Sequence, residues 1–380
     1  MSIFRRRPAL RWLVPALVAL LLAVAGSVVG VVTAVARDGL PQRSASRLLV
    51  DVQRARVDGL SGTIVQDAEL GLPDLSALGG GGSSDLTSLV SGSHTLRLWY
   101  DGPDRVRLAL LGTLGESDVV RRGADLWTWS SSTKSATHRS LPARTADAPH
   151  SLGEASPFTP QQAADAALRA ISPSTSVRTD GTAVVAGRDA YELVLRPRQH
   201  ASLVGSVRIA IDGDTHVPTR VQVYARGADR PAFEVGFTSF DPSRPDASVF
   251  RFNPPRGTKV TESTGPIGPG GLTGLTGPTG PRHALRAPGA GSSTRGSRPD
   301  AAPRVVGRGW TSVVVASVPP GASGASGPLA SMLRVLPRVH GSWGSGRLLG
   351  GTLFSAVLTD DGRLAVGAVA PEALYAALGR

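Results

Sequence analysis

The sequence predicts an α+β chain organised around an antiparallel sheet, and three observations predict it. Between Gly181 and Phe240 the blocks AYELVLRP, SVRIAIDGDTHVPTRVQVYA and AFEVGFTSF alternate apolar and polar residues, the period of two that gives a strand one apolar and one wet face. The run Asp212-Gly213-Asp214-Thr215-His216 supplies positive φ and side-chain-to-backbone hydrogen bonds, so its flanking strands join as a hairpin and not through a crossover helix. Two other stretches, Ser44 to Val57 and Thr159 to Ile171, carry the periodicity of short helices.

At 380 residues the chain is long enough for two domains. Its 46 glycines and 29 prolines, about a fifth of the whole, imply many turns and a flexible linker. The formal charge of +12 is carried almost wholly by arginine, with lysine only at Lys134 and Lys259. A nucleic-acid partner would need basic residues clustered with aromatics on one element. Here the arginines are scattered over strand exteriors, linker and termini, so none is expected, while attraction to anionic lipid headgroups stays open. The absence of cysteine excludes disulfides, thiolate catalysis, cysteine metal sites and a lipid-modified cysteine.

In chain order, residues 1–11 form a basic start with Arg5, Arg6, Arg7 and Arg11, and Trp12 to Ala36 runs without a charge. That run would span about 37 Å as a helix, enough for one tilted transmembrane anchor with its basic end in the cytoplasm. Ala34-Val35-Ala36 also fits a cleaved signal peptide. Both readings place the rest of the chain outside the cytoplasm, in a cell membrane or secreted. Ser44 caps a helix whose apolar residues are Leu48, Val52 and Ala55, and LSGTIVQDAEL reads as a first strand. Gly71 to Gly92 reads as a long loop, disordered or a mobile lid. Leu96, Leu98 and Tyr100, then Val106, Leu108 and Leu110, make a hairpin over Asp101-Gly102-Pro103-Asp104. SDVVRRGADLWTWSS makes the next, with Trp127 and Trp129 on one side of a strand, and the polar run from Lys134 to Phe158 reads as a loop.

Thr159 and Pro160 start a helix with an apolar stripe of Ala164, Ala167, Leu168 and Ile171. The central sheet follows and closes a domain spanning 44–256. Residues 257–304 change character: Gly265 to Arg282 holds six Gly-X-Y triplets, the collagen signature, too few for a triple helix alone and read as an extended linker. A small second α+β domain is expected over 305–380, with a strand in GWTSVVVASV, a short helix in LASMLRVLPRV, a hairpin over Asp360-Asp361-Gly362 and a terminal helix in PEALYAAL.

The strand VAGRDAYELVLRP followed by IDGDTHVPTRVQV carries Gly187, Arg188, Tyr191 and Leu193, then Asp212, Pro218 and Arg220. This pattern resembles the LolA/LolB/RseB superfamily of extracytoplasmic lipid and lipoprotein carriers, and with less detail the likeness extends over residues 44 to 255. It implies a curved antiparallel half-barrel with helices over its concave face and an apolar cavity beneath them. On that reading the inward residues are Leu96, Leu98, Val106, Leu108, Leu193, Leu195, Val207, Ile209, Ile211, Val221, Val223, Phe233, Val235 and Phe237, with Trp127 and Trp129 as further candidates. The implied ligand is a lipid acyl chain or lipoprotein. The alternative is an RseB-like regulator whose residues 305–380 bind a membrane partner such as an anti-sigma factor.

Catalytic signatures are missing: no GxSxG elbow, P-loop, HExxH or paired-carboxylate motif occurs, and the seven histidines are isolated. Asp212, Asp214 and His216 could in principle ligate a metal, but their place on a turn reads as turn stabilisation, as does that of Asp360 and Asp361. No cofactor, no metal and no catalysis are expected.

Overall fold

A computed structural model describes residues 40–72, 91–113, 115–141, 172–263, 303–318, 333 and 335–379. Its first sheet has twelve strands: β1 (Leu60–Ala68), β2 (Gly92–Tyr100), β3 (Arg105–Gly112), β4 (Gly115–Arg122), β5 (Asp125–Ser130), β6 (Ser135–Ser140), β7 (Thr175–Val185), β8 (Arg188–Pro197), β9 (Val204–Asp212), β10 (Pro218–Ala225), β11 (Pro231–Asp241) and β12 (Lys259–Ser263). Their spatial order is β12-β6-β5-β4-β3-β2-β1-β11-β10-β9-β8-β7. Two meanders, β1–β6 and β7–β11, meet where β1 pairs with β11, and every pairing is antiparallel except that of β12 on β6. The sequence explains most of the meander: from β2 to β6 and from β7 to β11 consecutive strands are joined by turns too short for a crossover. Between β7 and β8 the whole turn is Ala186-Gly187, both at positive φ (52° and 77°).

The second sheet has six antiparallel strands in the order β13-β14-β18-β17-β16-β15: β13 (Arg304–Val306), β14 (Val313–Ser317), β15 (Arg338–Gly341), β16 (Gly344–Gly350), β17 (Ser355–Thr359) and β18 (Arg363–Gly367). Helix α2 (Pro371–Leu378) packs Leu374, Ala377 and Leu378 on Val313, Val315, Val357 and Ala365, with Trp343 stacked on Tyr375. Arg304 and Arg363 donate to the carbonyls of Ala377 (3.0 Å) and Leu378 (2.9 Å), satisfying acceptors that the helix C-terminus leaves free. Helix α1 (Ala45–Arg54) is capped by Ser44, whose hydroxyl accepts from the Arg47 amide at 3.2 Å.

The expected α+β half-barrel roofed by helices is not what forms. The described residues are mostly strand, arranged as two large sheets, with only α1 and α2 as α-helices. What covers the first sheet is α1 on one flank and the second sheet domain on another. The anchor read over 12–36, the helix over Thr159 to Ile171, most of the 71–92 loop and the Gly-X-Y linker lie outside the described residues. No described helix is long and apolar enough to cross a membrane. One strand replaces expected irregular chain, SATHRS being β6, and the glycine-rich HGSWGSGRLLGG folds as the β15–β16 hairpin. Both are polar or glycine-rich, so neither carries the alternation that marks a strand with one buried face.

Candidate functional site

Residues directly opposite one another on antiparallel strands share a sheet face. The register links Leu195, Val207, Val223 and Phe233 in one row, and Leu193, Ile209, Val221 and Val235 in the next. Across the junction of the two meanders, Phe237 pairs with Ile64, Ile64 with Leu96 and Leu96 with Leu110, while Leu98 pairs with Leu108 and Tyr100 with Val106. All the aliphatic and phenylalanine candidates read from the sequence therefore lie on one face, running continuously from β8 to β3. Gly62 belongs to this face too. A Cβ there would sit 2.7 Å from the Phe237 ring and 2.3 Å from Ser239 O, so only glycine lets Phe237 lie flat over β1.

Two covers close parts of the face. Helix α1 seats Leu48 on Tyr191, Leu193 and Ile211, with Val177, Leu195 and Ile209 around them. At the strand ends formed by Ala68, Val204, Val223 and Phe233, the second domain contributes Leu353, Phe354, Trp310 and Ala368. Polar contacts hold that junction. Gln199 donates to Arg308 O (2.9 Å) and Thr311 Oγ1 (3.0 Å) and accepts from the Trp310 amide (2.9 Å), while Trp310 Nε1 donates to Thr175 Oγ1 (2.8 Å). Backbone bonds from Leu203 to Ala368 O and from Thr352 to Leu70 O complete it. Between the covers Leu98, Val106, Leu108, Val221 and Phe237 are only half-buried, an apolar strip that no described element seals. Sequence reasoning missed the junction: Gln199 and Trp310 sit in turns far apart along the chain, and nothing local marks them as partners.

Trp127 and Trp129 lie on the opposite face, because Trp127 pairs with Val120 and Trp129 with Asp118. There they tilt against Phe252 at centroid distances of 5.3 and 6.3 Å, beside the fully buried Phe250. Trp127 also stacks on His138 at 4.3 Å. His138 bridges Asp125 (Nε2, 2.9 Å) and Glu262 (Nδ1, 2.8 Å), tying β12 to the sheet edge. The hydrogen bond to Asp125, then that to Glu262, hold its proton above the ordinary histidine range against a small desolvation.

On the same face Asp118 is 2% exposed and accepts from Arg107 Nη2 at 2.6 Å, and Arg107 lies over Trp99 at 5.4 Å. Burial, with Glu116 hydrogen-bonded beside it, pushes the Asp118 carboxyl up to about 7 against the pull of Arg107. A carboxyl raised above its ordinary 3.8 binds its proton more tightly in the native state, so it favours folding most below that value and loses this contribution as pH rises toward about 7. Asp118→Asn, which mimics the protonated form, is expected to flatten the fall in urea midpoint between pH 5 and pH 8 by at least about half. An undiminished fall would assign the slope to other groups.

The turn aspartates serve the turn. Asp212, 1% exposed, accepts from Arg188 Nε (2.6 Å), Thr215 N (2.8 Å) and Thr215 Oγ1 (2.8 Å). Burial would raise its carboxyl, but Arg188 and Thr215 hold it below the usual range. Asp360 and Asp361 bind Ser345 and Arg363. Among the described residues no group of three or more histidine and acidic side chains could hold a metal ion.

No protein-family model matches the chain, and no curated protein does. Among solved structures it is similar to the Pseudomonas aeruginosa MucA/MucB complex, at 17% identity and a TM-score of 0.40 over 88% of this chain and 96% of that chain. It is also similar to an uncharacterised conserved protein from Thermus thermophilus, at 13% identity and 0.33 over 58% of this chain and 99% of that one. A LolA superfamily protein from Nitrosomonas europaea matches at 11% identity and 0.21, over 56% of this chain and 99% of the other.

Proposed function

We propose that the chain is an extracytoplasmic binding protein that holds an acyl chain, on a lipid or a lipid-modified protein, against the apolar face of the twelve-stranded sheet. The observation that carries this reading is the continuous apolar strip from β8 to β3, flanked by α1 and the second domain but left half-buried between them. Hydrocarbon burial at about 0.8 kcal/mol per CH₂ gives a long acyl chain on the order of 10 kcal/mol, so recognition needs no strong polar contact.

Native mass spectrometry of the full chain, released from detergent and followed by lipid extraction, tests this. An acyl-containing species that co-purifies, or an added lipid retained at one copy per chain, is the expected result. A clean apo mass that also refuses added lipid would overturn it. A second reading, a regulator binding a membrane partner such as an anti-sigma factor through residues 305–380, is supported by how firmly the second domain is built onto the sheet. Gln199 and Trp310 would transmit a change at the apolar face to that domain.

A further inference from the structure

The strands β8 to β11 are electrically polar along their length. At the end where β8 and β10 finish and β9 and β11 begin, Arg196, Arg198, Arg226 and Arg230 are all exposed, and Arg308 of the second domain joins them through the Gln199 contact. Arg198 donates to Ser172 O (2.8 Å) and Arg226 to Ser202 O (2.9 Å) and Gln199 O (3.0 Å), carbonyls that leave the positive charge uncompensated. None of the five forms an ion pair among the described residues. The exposed acids at this end are Asp229 and Glu69, with Asp67 and Glu234 partly buried on the adjoining strands. The opposite ends of the same strands carry Asp189, Asp212, Asp214 and Asp241 against Arg188.

We infer that this basic strand end is a docking surface for an anionic bilayer. The turns that bear the arginines, residues 198–203 and 226–230, present no exposed phenylalanine, tyrosine, tryptophan or large aliphatic side chain, Leu203 being half-buried. A protein partner draws its affinity from such anchors in pockets, whereas a sheet of lipid headgroups needs only accessible cations on flexible stems. The arginines also sit at tips and not in a groove interleaved with aromatics, which sets nucleic acid aside. A bilayer docked here would lie against the domain junction, with the acidic strand ends turned away from it.

The chain has no cysteine, so Ala228→Cys and, at the far strand end, Ala124→Cys each give one attachment point for an environment-sensitive fluorophore on the full-length protein. With vesicles containing phosphatidylglycerol, the label at Ala228 is expected to shift to the blue and the label at Ala124 to stay unchanged. Phosphatidylcholine vesicles should leave both unchanged, and about 0.5 M salt should reverse the shift. Adding Arg196→Gln and Arg230→Gln should weaken the response about 30-fold. Equal responses at the two positions, a response to phosphatidylcholine alone, or reversal by millimolar inorganic phosphate at constant ionic strength would each overturn the inference. A vesicle response without acyl-chain retention would instead sink the binding function and leave this surface standing.

Discussion

Trp310→Ala is expected to undock the second domain. The indole packs with Leu353 and Phe354 over Val204, Val223 and Phe233, and removing a large ring from such a junction costs about 3 kcal/mol or more. It also removes the Nε1 donor from Thr175, 4% exposed, whose hydroxyl keeps Ser174 Oγ at 3.4 Å; losing that bond adds about 1 kcal/mol. Together these amount to a large fraction of the stability of an ordinary domain. Wild type should unfold in one cooperative urea transition reported alike by both sheets, and the variant in two, with limited proteolysis entering the chain between residues 263 and 303. Trp310→Phe keeps one aromatic ring but loses the pyrrole half of the indole with its N–H, so its effect should be smaller than that of the alanine variant. A variant that still unfolds in a single transition at the wild-type midpoint would mean that the backbone bonds of Leu203 and Thr352 hold the junction without the indole.

Much of the first sheet was legible because its strands advertise themselves locally. Val207, Ile209 and Ile211 alternate with Arg208 and Ala210, and the register then carries that alternation across the sheet: a one-residue slip would move the whole apolar set to the opposite face. Where the signal is absent the reading failed for a physical reason. β6, between β5 and β12, is a polar strand whose serines, threonine, histidine and arginine advertise no buried face although Ala136 is buried. β12 is a short exposed strand whose hold on β6 comes from backbone pairing and the His138 bridge. Trp127 and Trp129 join the ligand candidates on their spacing, two apart along one strand. Facing is a matter of register, and only the pairing of Trp129 with Asp118 puts the indoles on the other side. The covers were illegible too, since α1 is amphipathic by its own pattern but nothing in its sequence names Tyr191 and Ile211 as its seat. The second domain reaches Phe233 through Trp310, Leu353, Phe354 and Ala368, all far along the chain.

Val221→Asp is expected to abolish acyl-chain retention in a protein that still folds. Val221 lies mid-strand in β10 between Ile209 and Val235, half-buried on the strip that neither α1 nor the second domain seals. A carboxylate there can reach water in the empty protein, so its folding cost is moderate. Once hydrocarbon covers it, the charge must be desolvated or the carboxyl protonated, at several kcal/mol. Affinity for an acyl probe should fall by at least about 100-fold, which is roughly 3 kcal/mol. Val194→Asp is the contrasting case, because Val194 is fully buried on the other face and a charge there has no route to water; that variant should fail to fold. Circular dichroism and probe binding on both proteins separate the outcomes. If Val221→Asp unfolds as Val194→Asp does, the strip is closed core. If it folds and binds as wild type does, the ligand sits elsewhere on the sheet.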